Sequence, residues 1–80
     1  MFISFTLEVG EHRKDIRLDS EQKISEPLKV LRINGIFPNG AEPDYYRSLM
    51  NGRPVSAHMS FKEEGIFDGD VLTAILPDMP

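Results

Sequence analysis

Cysteine is absent from this chain, and histidine occurs only at His12 and His58, far apart. The first absence removes disulfides, thiolate metal sites and cysteine nucleophiles together and fits a reducing compartment, while two isolated histidines leave too few ligands for zinc. Long apolar runs are missing too. No stretch approaches the ~20 apolar residues of a membrane span, so no membrane insertion is expected. The opening "MFISFTLEVGEHRK" alternates apolar with polar residues and carries acid early, whereas a signal peptide has a basic start and a continuous apolar stretch. A soluble, cytoplasmic protein is the expectation. Basic excess is also lacking: nine Lys and Arg face thirteen Asp and Glu, a net charge of −4, which argues against nucleic acid as the main partner. The glycines stand singly in separate turns and form no phosphate loop.

What is present is a strand pattern around one helix. Eighty residues make a single domain, and a domain of this size buries only roughly 60–65% of the surface of its unfolded chain. Residues 2–9, "FISFTLEV", place Ile3, Phe5, Leu7 and Val9 on one face and Phe2, Ser4, Thr6 and Glu8 on the other, the period of a half-buried strand. "GEHR" (10–13) reads as the turn of a hairpin, and "KDIRLD" (14–19) resumes the alternation with Ile16 and Leu18 inward. Ser25 in the N-cap position, Glu26 beside the positive helix end and Pro27 in the first turn start a helix, and Leu28 and Leu31 recur at helical spacing. Asn34-Gly35 reads as its C-cap. Ile36 and Phe37 either extend the last turn or fold back beneath the helix.

"PNGAEPD" (38–44) is loop by composition. "YYRSLM" (45–50) and "PVSA" (54–57) flank Asn51-Gly52-Arg53, a hairpin signal, with Pro54 pointing to a short or edge strand. Residues 59–70 predict a turn with a helical segment over 60–64, anchored by Phe61 and Ile66. "VLTAIL" (71–76) is the last strand. The order ββαββ predicts a two-layer α+β domain, one helix on a mixed sheet of four or five strands, with the first and last strands parallel.

That order in one short domain resembles the β-grasp, or ubiquitin-like, fold. Met1-x-Ile3 and "LMNGRPV" stand in places that match ubiquitin in pattern. The chain more closely resembles the YukD/EsaB family of bacterial ubiquitin-like proteins, small cytoplasmic components associated with type VII, WXG-protein secretion. The likeness is carried by Phe61 and by Gly65-Ile66-Phe67-Asp68-Gly69-Asp70-Val71-Leu72 running into the last strand, and by Arg47 between two inward residues, Tyr46 and Ser48. Ser48 departs from the family pattern, which is apolar there, and Asn34-Gly35 shortens a helix that usually runs longer.

Several side chains invite a chemical reading. Asp68 and Asp70, with Glu63 and Glu64 nearby, suggest a metal or acid/base site, but the ligand spacing of a calcium loop is absent, so a turn with Gly69 at an unusual dihedral and the aspartates accepting backbone hydrogen bonds is expected. His12 and His58 have no nucleophile or carboxylate at motif spacing and read as solvated loop residues. His12, Arg13, Lys14 and Arg17 form a short basic cluster that reads as solvated surface, or as a dock for an acidic partner. If Tyr46, Ser48 and Met50 face the helix, then Tyr45, Arg47 and Leu49 lie on the outer face of the sheet, extended by Thr73, Ile75 and Phe2. Tyr and Arg are enriched at interface hot spots, and the resemblance to ubiquitin implies recognition through this face.

These residues imply no catalytic, cofactor or metal site. The expected function is a non-enzymatic adaptor or regulator of a type VII secretion system that binds a protein, such as a cytoplasmic domain of a membrane component. The alternatives are a ubiquitin-like modifier or sulfur carrier, or an accessory subunit of a larger enzyme. The expected division is a domain over 1–76 and a short tail over 77–80. Pro77 and Pro80 stand where a conjugating relative carries flexible Gly-Gly, and the proline ring would obstruct entry to an adenylating channel.

Overall fold

The alternation in the first eight strand positions determines which way the sheet faces. In the computed structural model, which describes residues 1–76, β1 (Phe2–Val9) buries Ile3, Phe5, Leu7 and Val9 and leaves Phe2 and Ser4 exposed. The expected tail over 77–80, with its two prolines, lies outside the described residues. β2 (His12–Asp19) pairs antiparallel with β1, from Phe2 opposite Asp19 to Val9 opposite His12. The strand therefore begins two residues before the expected position 14. Gly10, at φ 61°, occupies the first central position of the turn and lets the loop close on Gly10-Glu11 alone, as in a II′ hairpin. His12 is accordingly a strand residue.

Helix α1 (Glu26–Ile33) starts and stops near the expected positions, by partly different means. Ser25 is in helical conformation and its side chain makes no cap hydrogen bond; its N–H donates to Ala57 O at 2.9 Å instead. Pro27 lies in the first turn, where no helical N–H is needed. At the other end Gly35, at φ 72°, turns the chain so that Gly35 N–H reaches Arg32 O and Ile36 N–H reaches Leu31 O. The ambiguity at the end of the helix resolves here: Ile36 is exposed and Phe37 folds back into the core. Arg32 then organises the connection, its guanidinium donating to Pro38 O, Gly40 O and Ala41 O and meeting Glu42 at 3.3 Å.

β3 (Tyr45–Ser48) and β4 (Arg53–Ser56) form the second hairpin, and β5 (Val71–Ile75) lies parallel to β1 and antiparallel to β3. The strand order β2-β1-β5-β3-β4 makes one mixed five-stranded sheet with α1 across one face, the expected β-grasp architecture. Leu28 and Leu31 from the helix, Phe61 and Ile66 from the long turn, and Leu72 from β5 are buried together between the layers. The Phe5 and Phe61 rings meet with centroids 4.9 Å apart. Tyr46 is wholly buried, and this burial pushes its phenol pKa up, so it remains protonated.

Further expectations need correction. β4 runs one residue earlier than the expected 54–57. β3 ends at Ser48 rather than at residue 50, so Leu49 and Met50 belong to a four-residue turn, and Met50 is 59% exposed instead of facing the helix. β5 ends at Ile75, one residue early. Residues 60–64 form no helix. They make one helical turn, Glu64 N–H to Ser60 O, enclosed by stop signals. At its start Ser60 N–H donates to Glu63 Oε1 and Glu63 N–H to Ser60 Oγ, both at 3.0 Å, a capping box. Gly65 at φ 72° ends it at once, and a single turn has no length over which a helix can propagate.

The cause of the early end of β3 is Asp70. Its carboxylate, 1% exposed, accepts the Ser48 hydroxyl at 2.6 Å, Met50 N–H at 3.0 Å and Val71 N–H at 2.8 Å. Ser48 Oγ in turn accepts from Asn51 N–H at 3.1 Å and Asn51 Nδ2 at 3.0 Å. The polar residue at 48 is thus the buried partner of a carboxylate, which an apolar residue could not be. Charge-assisted bonds of this kind turn the chain out of the sheet right after Ser48.

Two outcomes follow for stability. Asp70→Ala leaves a hydroxyl and two backbone donors without their acceptor and is expected to cost about 2–4 kcal/mol in denaturant unfolding; a loss under about 0.5 kcal/mol would show that this carboxylate does not pin the turn. The Glu63 carboxyl is held below its ordinary value of 4.5, chiefly by Ser60 N–H and then by the Ser60 side chain. Because the folded value is the lower one, this contribution is fully present above the unfolded value and fades as pH falls through the folded one. Glu63→Gln should therefore lose less stability than the parent between about pH 5 and pH 3; parallel curves would contradict it.

Candidate protein-binding face of the sheet

The face of the sheet opposite α1 is built by strand alternation alone. Tyr46 and Ser48 point into the core, so their neighbours Tyr45 and Arg47 point out, and the same parity on β5 turns Thr73 and Ile75 outward. Register then joins them: Tyr45 lies opposite Ile75, and Arg47 opposite Thr73. Leu49 stays on this face although it has left the strand, because its N–H donates to Val71 O at 3.0 Å, and it is 70% exposed. All five residues expected on the outer face, Tyr45, Arg47, Leu49, Thr73 and Ile75, are exposed there.

They do not form one uniform patch. Arg47, Leu49 and Thr73 line a shallow concavity of about 280 Å³ together with Glu8, Arg13 and Val71, while Tyr45 and Ile75 form an adjacent apolar pair at the far end of β5. Sequence reasoning missed Glu8 and Arg13 as members. The available signal was parity: Glu8 is on the outward face of β1, and parallel pairing sets it opposite Thr73. Phe2 is not brought to this site. It lies at the opposite end of β1, paired with Asp19, where the Arg17 guanidinium stands 5.5 Å from its ring centroid.

The electrostatics of the concavity are asymmetric. Glu8 is engaged twice, by Arg13 Nη1 at 3.1 Å and by the Thr73 hydroxyl at 2.9 Å. Arg47 forms no ion pair among the described residues. The Arg47 guanidinium beside exposed Leu49, with Tyr45 two residues away, offers a cation and apolar surface together.

Asp68 accepts Ser4 N–H at 2.7 Å, Asp70 is committed to the turn, and Gly69 takes φ 87°, the turn chemistry expected of this segment. Among the described residues no cluster of three His, Asp or Glu side chains is arranged to hold a metal ion. Glu64 is spent on Ser56 N–H and Arg53. His58 meets Asp44 at 3.2 Å in solvent, and His12 packs on Phe37 with ring centroids 5.8 Å apart. The basic cluster does not survive as one surface. Strand parity sends Arg13 and Arg17 to the outer face and His12 and Lys14 to the helix side.

No family model and no curated protein matches the sequence. Solved structures do match in fold. The EccD5 ubiquitin-like domain from Mycobacterium xenopi is 24% identical, with 99% of each chain covered and a TM-score of 0.59. The ubiquitin-like domain of an Arabidopsis thaliana protein is 13% identical over 98% of this chain and 80% of that one, with a TM-score of 0.70. A chain of the MycP5-free ESX-5 inner membrane complex is 23% identical over 99% of this chain and 23% of its own length, with a TM-score of 0.53. At such identities the likeness establishes architecture: this chain has the ubiquitin-like β-grasp fold.

Proposed function

We propose that this protein is a non-enzymatic ubiquitin-like adaptor of the YukD/EsaB kind, working in the cytoplasm beside a type VII, WXG-protein secretion apparatus. Its partner is a protein, a cytoplasmic domain of a membrane component of that apparatus. The observation that carries the reading is the outer sheet face, where Arg47, without an ion pair among the described residues, stands among exposed Leu49, Tyr45, Thr73 and Ile75. Side chains of these types in a shallow concavity make a recognition surface, since Tyr and Arg supply much of the binding energy at protein interfaces. The non-enzymatic part is supported by Asp68, Asp70 and Glu64, whose carboxylates are occupied by hydrogen bonds within the fold. The secretion part is supported by the fold likeness to the EccD5 domain and to a chain of the ESX-5 inner membrane complex. No helix among the described residues is long and apolar enough to cross a membrane.

Affinity purification from cells that contain the secretion apparatus tests both parts. The unaltered chain is expected to retain a membrane component, and Tyr45→Ala, Arg47→Glu and Leu49→Ala each to weaken that binding by roughly tenfold or more, about 1.4 kcal/mol. Their side chains are exposed, so unfolding free energies should stay within about 0.5 kcal/mol of the parent. Retention of the partner by all three variants would rule out this face, and purification without any secretion component would rule out the assignment.

A further inference from the structure

The two edges of the sheet are treated differently. On β4, Ala57 N–H donates to Asp44 O, so the parity of that hairpin turns the backbone groups of Pro54 and Ser56 outward. Pro54 has no N–H, its carbonyl takes Arg53 Nη1 at 3.3 Å, and Ser56 N–H is held by Glu64 at 2.6 Å. That edge is closed, in the manner by which sheets avoid pairing. On β2, Ser20 N–H donates to Met1 O at 2.8 Å, and alternation from that pair turns the backbone groups of Arg13, Asp15 and Arg17, and the N–H of Asp19, away from β1. Nothing among the described residues covers them.

Along this open edge the outward side chains read Arg13, Asp15, Arg17, Asp19, alternating in sign. An antiparallel copy of the same strand, centred on Ile16, places Arg13 opposite Asp19 and Asp15 opposite Arg17. Shifting the register by two residues toward the C-terminus of the strand's own pairing, so that Arg17 is central, sets Arg17 against Arg17 and Asp15 against Asp19. Shifting it the other way, so that Asp15 is central, sets Asp15 against Asp15 and Arg13 against Arg17. A centre at Lys14 would keep opposite charges on the outer face but set Lys14 against Lys14 on the other. A centre at Leu18 also sets Arg17 against Asp19, but only residues 17–19 of the strand then overlap. The Ile16 centre satisfies both faces over residues 13–19: it joins half-buried Ile16 to its symmetry mate beside a groove of about 210 Å³ lined by Ile16, Leu18, Pro27 and Val30.

We infer that β2 is a self-association edge, and that two copies pair antiparallel through it about a twofold axis at Ile16, joining their sheets into one. Asp15 and Arg17 of opposite copies exchange backbone hydrogen bonds, and cross-strand ion pairs select the register. Existing contacts are compatible with this arrangement. Arg13 keeps Glu8 on one side and gains Asp19 on the other, whose Oδ1 already accepts from the N-terminal ammonium and Glu21 N–H, so Oδ2 is the oxygen offered to Arg13; Asp15 keeps the Thr6 hydroxyl at 2.7 Å and gains Arg17, which leaves the Phe2 ring or reaches past it. The inference is independent of the proposed secretion partner, because β2 contributes only Arg13 to the concavity.

Cysteine scanning reads the register directly, since the chain has no cysteine of its own. Residues 16 of the two copies would form a non-hydrogen-bonded pair with Cα atoms about 4.5 Å apart, within disulfide range. Ile16→Cys should give a covalent dimer under oxidation, and Lys14→Cys should not. By sedimentation, Arg17→Asp should weaken self-association at least tenfold, and Asp15→Arg combined with Arg17→Asp should restore it, because that swap is again self-complementary. Cross-linking through position 14 in preference to 16, failure of the double swap to restore association, or a purely monomeric parent at millimolar concentration would each overturn the inference.

Discussion

The Asp70 carboxylate is the constraint on which the second half of the fold depends. It sits where β5 begins and where the β3–β4 turn passes, and it ties the two together through a hydroxyl and two backbone donors. A buried carboxylate is costly to desolvate, and it is retained in cores when such donors surround it. Ser48 supplies one of them and relays the contact to Asn51, so the turn, the end of β3 and the start of β5 are determined together. The neighbouring Asp68 and Gly69 attach the same turn to Ser4 of β1. One short acidic turn thus brings three strands into register.

The outer face is a consequence of that register. With Ser48 held inward, Arg47 must point outward, and the early turn leaves Leu49 exposed beside Val71 instead of carrying the strand onward. The apolar surface and the cation of the candidate site are therefore by-products of a buried hydrogen bond on the other side of the sheet. The two sheet edges follow different physical solutions. β4 lacks one donor and has another occupied, whereas β2 keeps its polar groups open and carries charges of alternating sign, which distinguish among pairing registers.

Much of the architecture was legible in the sequence because it rests on period. The alternation of Ile3, Phe5, Leu7 and Val9, the Pro27 and Gly35 ends of the helix, and the final strand after Gly69-Asp70 are local patterns with local causes. The exposure of Tyr45, Arg47, Thr73 and Ile75 followed from the same parity, and Leu49 kept the expected face although the strand had ended before it. The errors have one remote cause and two local ones. Met50 fits an inward strand position by alternation, yet Asp70, remote in sequence, takes its N–H and ends the strand. Residues 60–64 have helix signals at both ends, and those signals stand so close together that only one turn fits between them. The basic cluster on residues 12–17 is contiguous in sequence, and strand geometry divides it between two faces.

The sequence by itself determined the elements, their order and the inward or outward sense of nearly every strand residue, because these depend on spacing along the chain. It also determined that a buried polar residue would stand at 48 among apolar neighbours, without indicating why. Only the tertiary structure decided which residues became neighbours across strands: Glu8 and Arg13 beside Arg47, Phe2 away from them, Ser48 on Asp70, and one sheet edge closed while the other stays open. Cross-strand proximity is set by register, and register is fixed by long-range packing and hydrogen bonds that leave no periodic trace in a single sequence.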